Sequence, residues 1–147
     1  MTRPLLAPAL LAIAACSSAV QAASHEMFRD PDCGCCGKWA EHVREHGEAE
    51  VEETVTRDMA RVKDTHGVPQ DLRSCHTLLV EGYVIEGHVP AAEIERLLAE
   101  RPEGVVGLAV PGMPVGSPGM EMGERTQPYA VIAFRADGSR FVFARYG

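Results

Sequence analysis

The chain has 147 residues, 46% of them hydrophobic and 24% charged, enough for one compact domain with a hydrophobic core and too little for two. A formal net charge of −7 without any basic run excludes a nucleic-acid binder, because such proteins neutralise phosphates with clustered Lys and Arg; cationic partners, metal ions among them, fit this balance better. With only 5% aromatic residues, the core must be built mainly from Val, Leu, Ile and Ala.

The first segment, MTRPLLAPALLAIAACSSAVQAASHE, gives one Arg, an apolar run from Leu5 to Ala15 and small residues ending in Val20-Gln21-Ala22. That layout predicts a signal peptide over residues 1–22 and a single domain over residues 23–147. The apolar run is too short to span a bilayer. Ile13-Ala14-Ala15-Cys16 also resembles a lipoprotein signal, in which Cys16 would carry the lipid, and membrane attachment is expected only in that case. Both patterns take the protein out of the cytosol.

His25 to Arg29 reads as a short strand. Cys36, Trp39, Ala40 and Val43 then fall at helical spacing, predicting a helix from Cys36 to His46 that Gly47 stops, with the cysteines at its N-terminus. Ala49, Val51 and Val55 occupy alternate positions of an edge strand. Thr56 or Asp58 caps a brief helix through Met59 and Val62, closed by Gly67 and Pro69. A strand from Thr77 to Val80, a Glu81-Gly82 turn and a strand from Tyr83 to Ile85 follow. Pro90 opens a helix with Ile94, Leu97 and Leu98 on its apolar face, ended before Pro102. From Glu103 to Pro128 the chain is rich in Gly and Pro and lacks periodicity, the pattern of a long functional connection. A hairpin bent at Asp137-Gly138 completes the chain. The order β-α-β-α-β-β-α, with a cysteine motif opening the first helix, predicts an α/β, thioredoxin-like fold with a C-terminal β-hairpin extension.

The segment Asp30-Pro-Asp-Cys-Gly-Cys-Cys-Gly-Lys-Trp39 places Cys33, Cys35 and Cys36 together, and the remaining thiol of the exported chain is Cys75. Two structural disulfides are the default for four exported cysteines, yet adjacent Cys35 and Cys36 pair poorly with each other. Cys33 and Cys36 form a C-x-x-C, whose helix-terminal position favours thiolate and disulfide exchange. Cys35 is superfluous for that chemistry and would trap mixed disulfides. A soft-metal site uses all three, with Cys75 and His76 adding a sulfur and an imidazole, and thiolates select Cu(I) or Zn. Met113, Met120 and Met122 on the long connection favour copper over zinc, which seldom takes thioethers, although packing against the core explains them as well. His88 at a strand-to-helix junction is either a helix-entry hydrogen-bond partner or a metal-site residue. His42 and His46 lie one turn apart among Glu41, Arg44 and Glu45, which indicates a solvated face; His25 and His66 read as surface residues and Trp39 as core.

At DPDCGCCGKW, SCHTLLVEGYVIEGHVP and GLAVPGMPVGSPGMEMG the sequence resembles the CopG-like family of exported bacterial copper-resistance proteins, a domain of unknown function, from about Phe28 to Tyr146. The resemblance implies a thioredoxin-like fold and a periplasmic protein that binds copper as Cu(I), one ion or several. Cys33, Cys35, Cys36 and Cys75 are the implied thiol ligands, with His76, His88 and the methionine connection nearby. The expected partners are the metal ion and other periplasmic copper-handling or redox proteins. The alternative is an enzyme, a thiol-disulfide oxidoreductase or copper reductase using Cys33 and Cys36.

Overall fold

The computed structural model describes residues 25–47 and 49–147. The expected signal peptide and Cys16 lie outside them. The elements in chain order are β1 (His25–Arg29), α1 (Gly34–His46), β2 (Val51–Val55), α2 (Met59–Thr65), a 3-10 turn (Gln70–Leu72), β3 (His76–Val80), β4 (Tyr83–Glu86), α3 (Ala91–Glu100), β5 (Val105–Ala109), β6 (Tyr129–Arg135) and β7 (Arg140–Tyr146). The seven strands form one mixed sheet in the order β2-β1-β3-β4-β5-β6-β7. The β1/β2 and β4/β5 pairs are parallel and all the others antiparallel.

Local chemistry accounts for the element ends. Asp58 caps α2 by accepting the Arg61 N–H at 3.3 Å. Glu81 and Gly82 both have positive φ, 45° and 85°, which is what a two-residue hairpin between β3 and β4 requires. Pro90 precedes α3, where its missing N–H costs nothing, and Arg101 ends that helix in the left-handed region. Helix α1 begins at Gly34, two residues earlier than the apolar spacing indicates, because the first turn of a helix need not be apolar.

Alternation along the strands divides the core between the two sheet faces. One face packs Met27, Leu78, Ile85 and Leu108 with Trp39, Ala40 and Val43 of α1 and Ile94 and Leu97 of α3. The other gathers Val84, Ala109 and Phe134 with Val68 and Leu72.

Two expectations are corrected. The stretch after Glu103, expected to be irregular, contains β5 in the interior of the sheet. A strand covered on both faces has no polar alternation to betray it, and VVGLA is a short apolar run between glycines. Gly107 in it is obligatory, since a Cβ there would lie 2.2 Å from the Val84 carbonyl oxygen and 2.5 Å from the Phe134 ring. His25 is buried at the start of β1, with its N–H donating to the Glu50 carbonyl at 3.1 Å.

Strand direction decides where a site can form. With β1, β4 and β5 running one way and β3 and β6 the other, the ends of β1, β4 and β5 and the starts of β3 and β6 share one end of the sheet. The β1–α1 loop, the approach to β3, the β4–α3 junction and the long β5–β6 connection therefore converge there.

Candidate metal centre

Cys33 is the N-cap of α1, and Cys35 and Cys36 lie in its first turn. The side chain of Cys33 leaves the first N–H groups of the helix without a cap, so their partial positive charge faces the sulfurs. Cys33 and Cys36 are joined as a disulfide, while Cys35 and Cys75 are free thiols. Cys35 Sγ lies 3.5 Å from Cys33 Sγ. Cys75, on the approach to β3, completes the group: the four sulfurs all lie within 4.8 Å of one another. Two sulfurs bound to one ion at about 2.3 Å stand about 3.8 Å apart at a tetrahedral angle, so opening the disulfide would leave four thiols at ligand spacing. Burial pushes the Cys75 thiol up to about 11, with the neighbouring Cys35 adding to the shift; a bound cation would reverse this, because metal ions deprotonate the thiols that ligate them.

Two imidazoles adjoin Cys75. His88 Nε2 lies 3.1 Å and His76 Nδ1 3.3 Å from its Sγ. The His88 Nδ1–H donates to the Pro118 carbonyl at 2.7 Å, which fixes the tautomer and turns the Nε2 lone pair to the sulfur. His76 is fully buried, its ring centroid 4.3 Å from that of Trp39, and its Nε2 makes no hydrogen bond. Burial holds the His76 pKa well below the usual imidazole range, with His88 and Lys63 acting in the same direction. Desolvation also lowers His88. Both rings are neutral at physiological pH, the state in which imidazole binds metals.

The residues that support this arrangement carry no motif. Glu86, wholly buried at the end of β4, accepts the Ser74 N–H at 2.6 Å, Lys63 Nζ at 2.5 Å and Thr77 Oγ1 at 2.7 Å. Lys63 comes from α2 and also donates to Thr77 Oγ1 at 3.1 Å. The ion pair thus ties α2, β3 and β4 to the residue before Cys75. Ser74 Oγ also donates to the Gly112 carbonyl, linking the same point to the long connection. That connection closes over the cysteines through Pro118 and Gly119. A periodic signal could not have singled out Ser74, Glu86, Lys63 or Pro118.

Of the expected site residues, Cys33, Cys35, Cys36, Cys75, His76 and His88 come together. Met113 and Met122 are about half exposed, at 53% and 48%, and Met120 is partly buried; Met122 Sδ accepts from Arg125. His42 and His46 stack at 4.6 Å, and His42 Nε2 accepts the Ala91 N–H at 3.2 Å, so this histidine caps α3. Trp39 is buried as expected, and its Nε1–H donates to the Val89 carbonyl at 2.8 Å. Asp32 pairs with exposed Arg57 at 3.1 Å.

A mixed α/β chain whose sulfurs and imidazoles gather at one end of the sheet is built like a protein that handles a soft metal ion. The chain belongs to the family of the copper resistance protein CopG. Two solved structures carry that name: form 2 is 43% identical, with a TM-score of 0.80, over 86% of this chain and 100% of its own. Form 1 is 44% identical, also with a TM-score of 0.80, over 86% of this chain and 98% of its own. Residues 72–120 match the family described as protein of unknown function DUF411. No curated protein matches the chain.

Proposed function

We propose that this is an exported copper-binding protein of copper resistance that holds Cu(I) through the thiolates of Cys33, Cys35, Cys36 and Cys75. The observation that carries the reading is the approach of four sulfurs to within 4.8 Å of one another in a chain 43–44% identical to copper resistance proteins. His76 and His88 border the cluster, and Met113, Met120 and Met122 lie on the connection that closes over it, as thioether donors for outer copper contacts. A thioredoxin-like core is supported by the partial order β2-β1-β3-β4 with α1 and α3 packed on one face. The segment over residues 1–22 acts as a signal peptide that delivers the domain to the periplasm, or anchors it through Cys16. No helix among the described residues is long and apolar enough to cross a membrane.

The test is anaerobic Cu(I) titration of the reduced protein, followed by sulfur-to-copper absorption. Cys35→Ser should weaken binding sharply, and absence of copper uptake by the reduced wild type would end the proposal.

The disulfide supports a second reading, a copper reductase or thiol-disulfide oxidoreductase. Two thiolates closing to the Cys33–Cys36 bond release two electrons, which reduce two Cu(II) to two Cu(I). Loss of reduction in Cys33→Ser with copper binding retained would favour it.

A further inference from the structure

Strand β7 is the last in the sheet, and among the described residues only β6 pairs with it, so one side of its backbone has no strand beside it. Such an edge is a template for another extended chain, and folded proteins blunt it with charges and bulges. β7 has both. Arg140 and Arg145 stand exposed on it, and the register slips at Phe143, since Val142 faces Ile132 while Ala144 faces Val131. Yet the strand also exposes Phe141 and Val142, at 37% and 39%, which protection alone does not require.

We propose that the outer edge of β7 docks an extended acidic segment of a partner protein, which adds to the sheet as a further strand. Charge decides the occupant. Residues 129–147 carry Arg135, Arg140 and Arg145 against the single acidic side chain of Asp137, in a chain whose net charge is −7. From α3, the Arg96 guanidinium covers the Phe143 ring at 3.8 Å and donates to the Phe143 carbonyl at 2.8 Å, and Arg135 lies over the Phe141 ring at 4.9 Å. The edge is thus a row of arginines interleaved with aromatic rings. Arg140 pairs with Asp71, but both are exposed, and another carboxylate can replace so well screened a partner. Arg145 pairs with no carboxylate side chain among the described residues. With Pro128, Tyr129 and Tyr146 it lines a surface cleft of about 410 Å³ that admits an acidic side chain of the docked segment. The Tyr129 and Tyr146 rings stack at 4.9 Å, and the Tyr146 hydroxyl donates to Glu93 at 2.8 Å, which holds this wall in place.

The same features disfavour a second copy of this chain as the occupant. Two β7 edges meeting antiparallel would crowd Arg140 and Arg145 of both chains into one seam, and like charges across a strand pair are destabilising. The bulge adds local twist, which a flexible segment follows more readily than the edge of a second folded sheet. Four strand spacings separate β7 from β3, about 19 Å at about 4.8 Å each, so docking leaves the sulfur cluster untouched. The inference does not rest on the copper reading.

The probe is a capped peptide of alternating Glu and Val, matched in length to β7 and added to the full, isotopically labelled chain at low salt. Binding is followed by amide chemical shifts and hydrogen exchange. A Lys-Val peptide and an all-Glu peptide of the same length serve as controls. The Glu-Val peptide should bind about 10-fold more tightly than either, slow exchange along β7 alone, and weaken as salt rises. Arg145→Glu should weaken it about 3-fold, and Arg140→Glu with Arg145→Glu about 10-fold, with the preference reversed towards the Lys-Val peptide. Arg61→Glu, on the exposed side of α2, and Cys75→Ser should change nothing. Absence of binding, equal binding of either control peptide, or protection away from β7 would overturn the proposal. So would a dimer joined through β7 in the absence of peptide, which would make a second copy the occupant. Loss of peptide binding in Cys75→Ser would overturn the independence of this edge from the cluster and with it the proposal.

Discussion

Gly119 occupies the most constrained point of the connection that covers the cysteines. Its φ is +80°, and a Cβ there would sit 2.8 Å from both the Cys35 carbonyl oxygen and the Trp39 backbone nitrogen. Neither contact can yield, because both atoms belong to the first turns of α1. Gly119→Ala should cost about 1–3 kcal/mol in chemical denaturation and lift Pro118 from His88, which a faster alkylation of Cys35 would report. Unchanged stability and unchanged Cys35 reactivity would show that the loop does not rest on the helix. At this scale the sequence was legible where chemistry is concentrated: Cys33, Cys35 and Cys36 announce themselves by spacing, and Cys75-His76 by its place before a strand. Gly119 did not, since in a segment with so many glycines a positive φ that matters looks like one that does not. His25 misled because a polar side chain near the start of the fold looks exposed until the neighbouring strand covers it.

Among elements, the buried Lys63–Glu86 pair joins α2 to β4 across β3 and holds Ser74 against the sheet. A buried ion pair is rarely a net source of stability, but breaking one leaves a charge stranded away from water. Glu86→Ala should therefore cost about 3–5 kcal/mol in urea unfolding, whereas Lys63→Met combined with Glu86→Leu should recover most of that loss. The two variants should differ from each other at Cys75 far less than in stability, because both lose the acceptor for the Ser74 N–H; alkylation of Cys75 should accelerate in each. Recovery of stability together with wild-type Cys75 reactivity would mean that the carboxylate does not position the cysteine. The elements themselves were largely readable: the caps, the Glu81-Gly82 turn and the apolar faces of α1 and α3 are local signals. Strand β5 was not, because its burial on both faces depends on neighbours 20 or more residues away, Val84 and Phe134 among them. That Cys75 meets the cysteines of the β1–α1 loop was readable only through topology, which brings the start of β3 to the end of β1.

For the molecule as a whole, the site draws on four stretches far apart in sequence: the start of α1, the approach to β3, the β4–α3 junction and the β5–β6 connection. An ion bound to the four thiolates fixes the first two directly, and His88 with Pro118 carries the constraint to the others. Unfolding must separate all of them, so binding should raise global stability and not merely quieten one loop. At free Cu(I) 100-fold above the dissociation constant the gain is about 2.7 kcal/mol, which for a chain of this length corresponds to roughly 5–10 °C in melting temperature. The reduced protein should show this rise and lose it on adding a strong Cu(I) chelator. In Cys75→Ser the rise should shrink markedly, since an ion held only by the first turn of α1 bridges nothing distant. A full rise in Cys75→Ser would mean that copper is bound locally at the helix terminus, and that convergence at the sheet end contributes nothing to holding it.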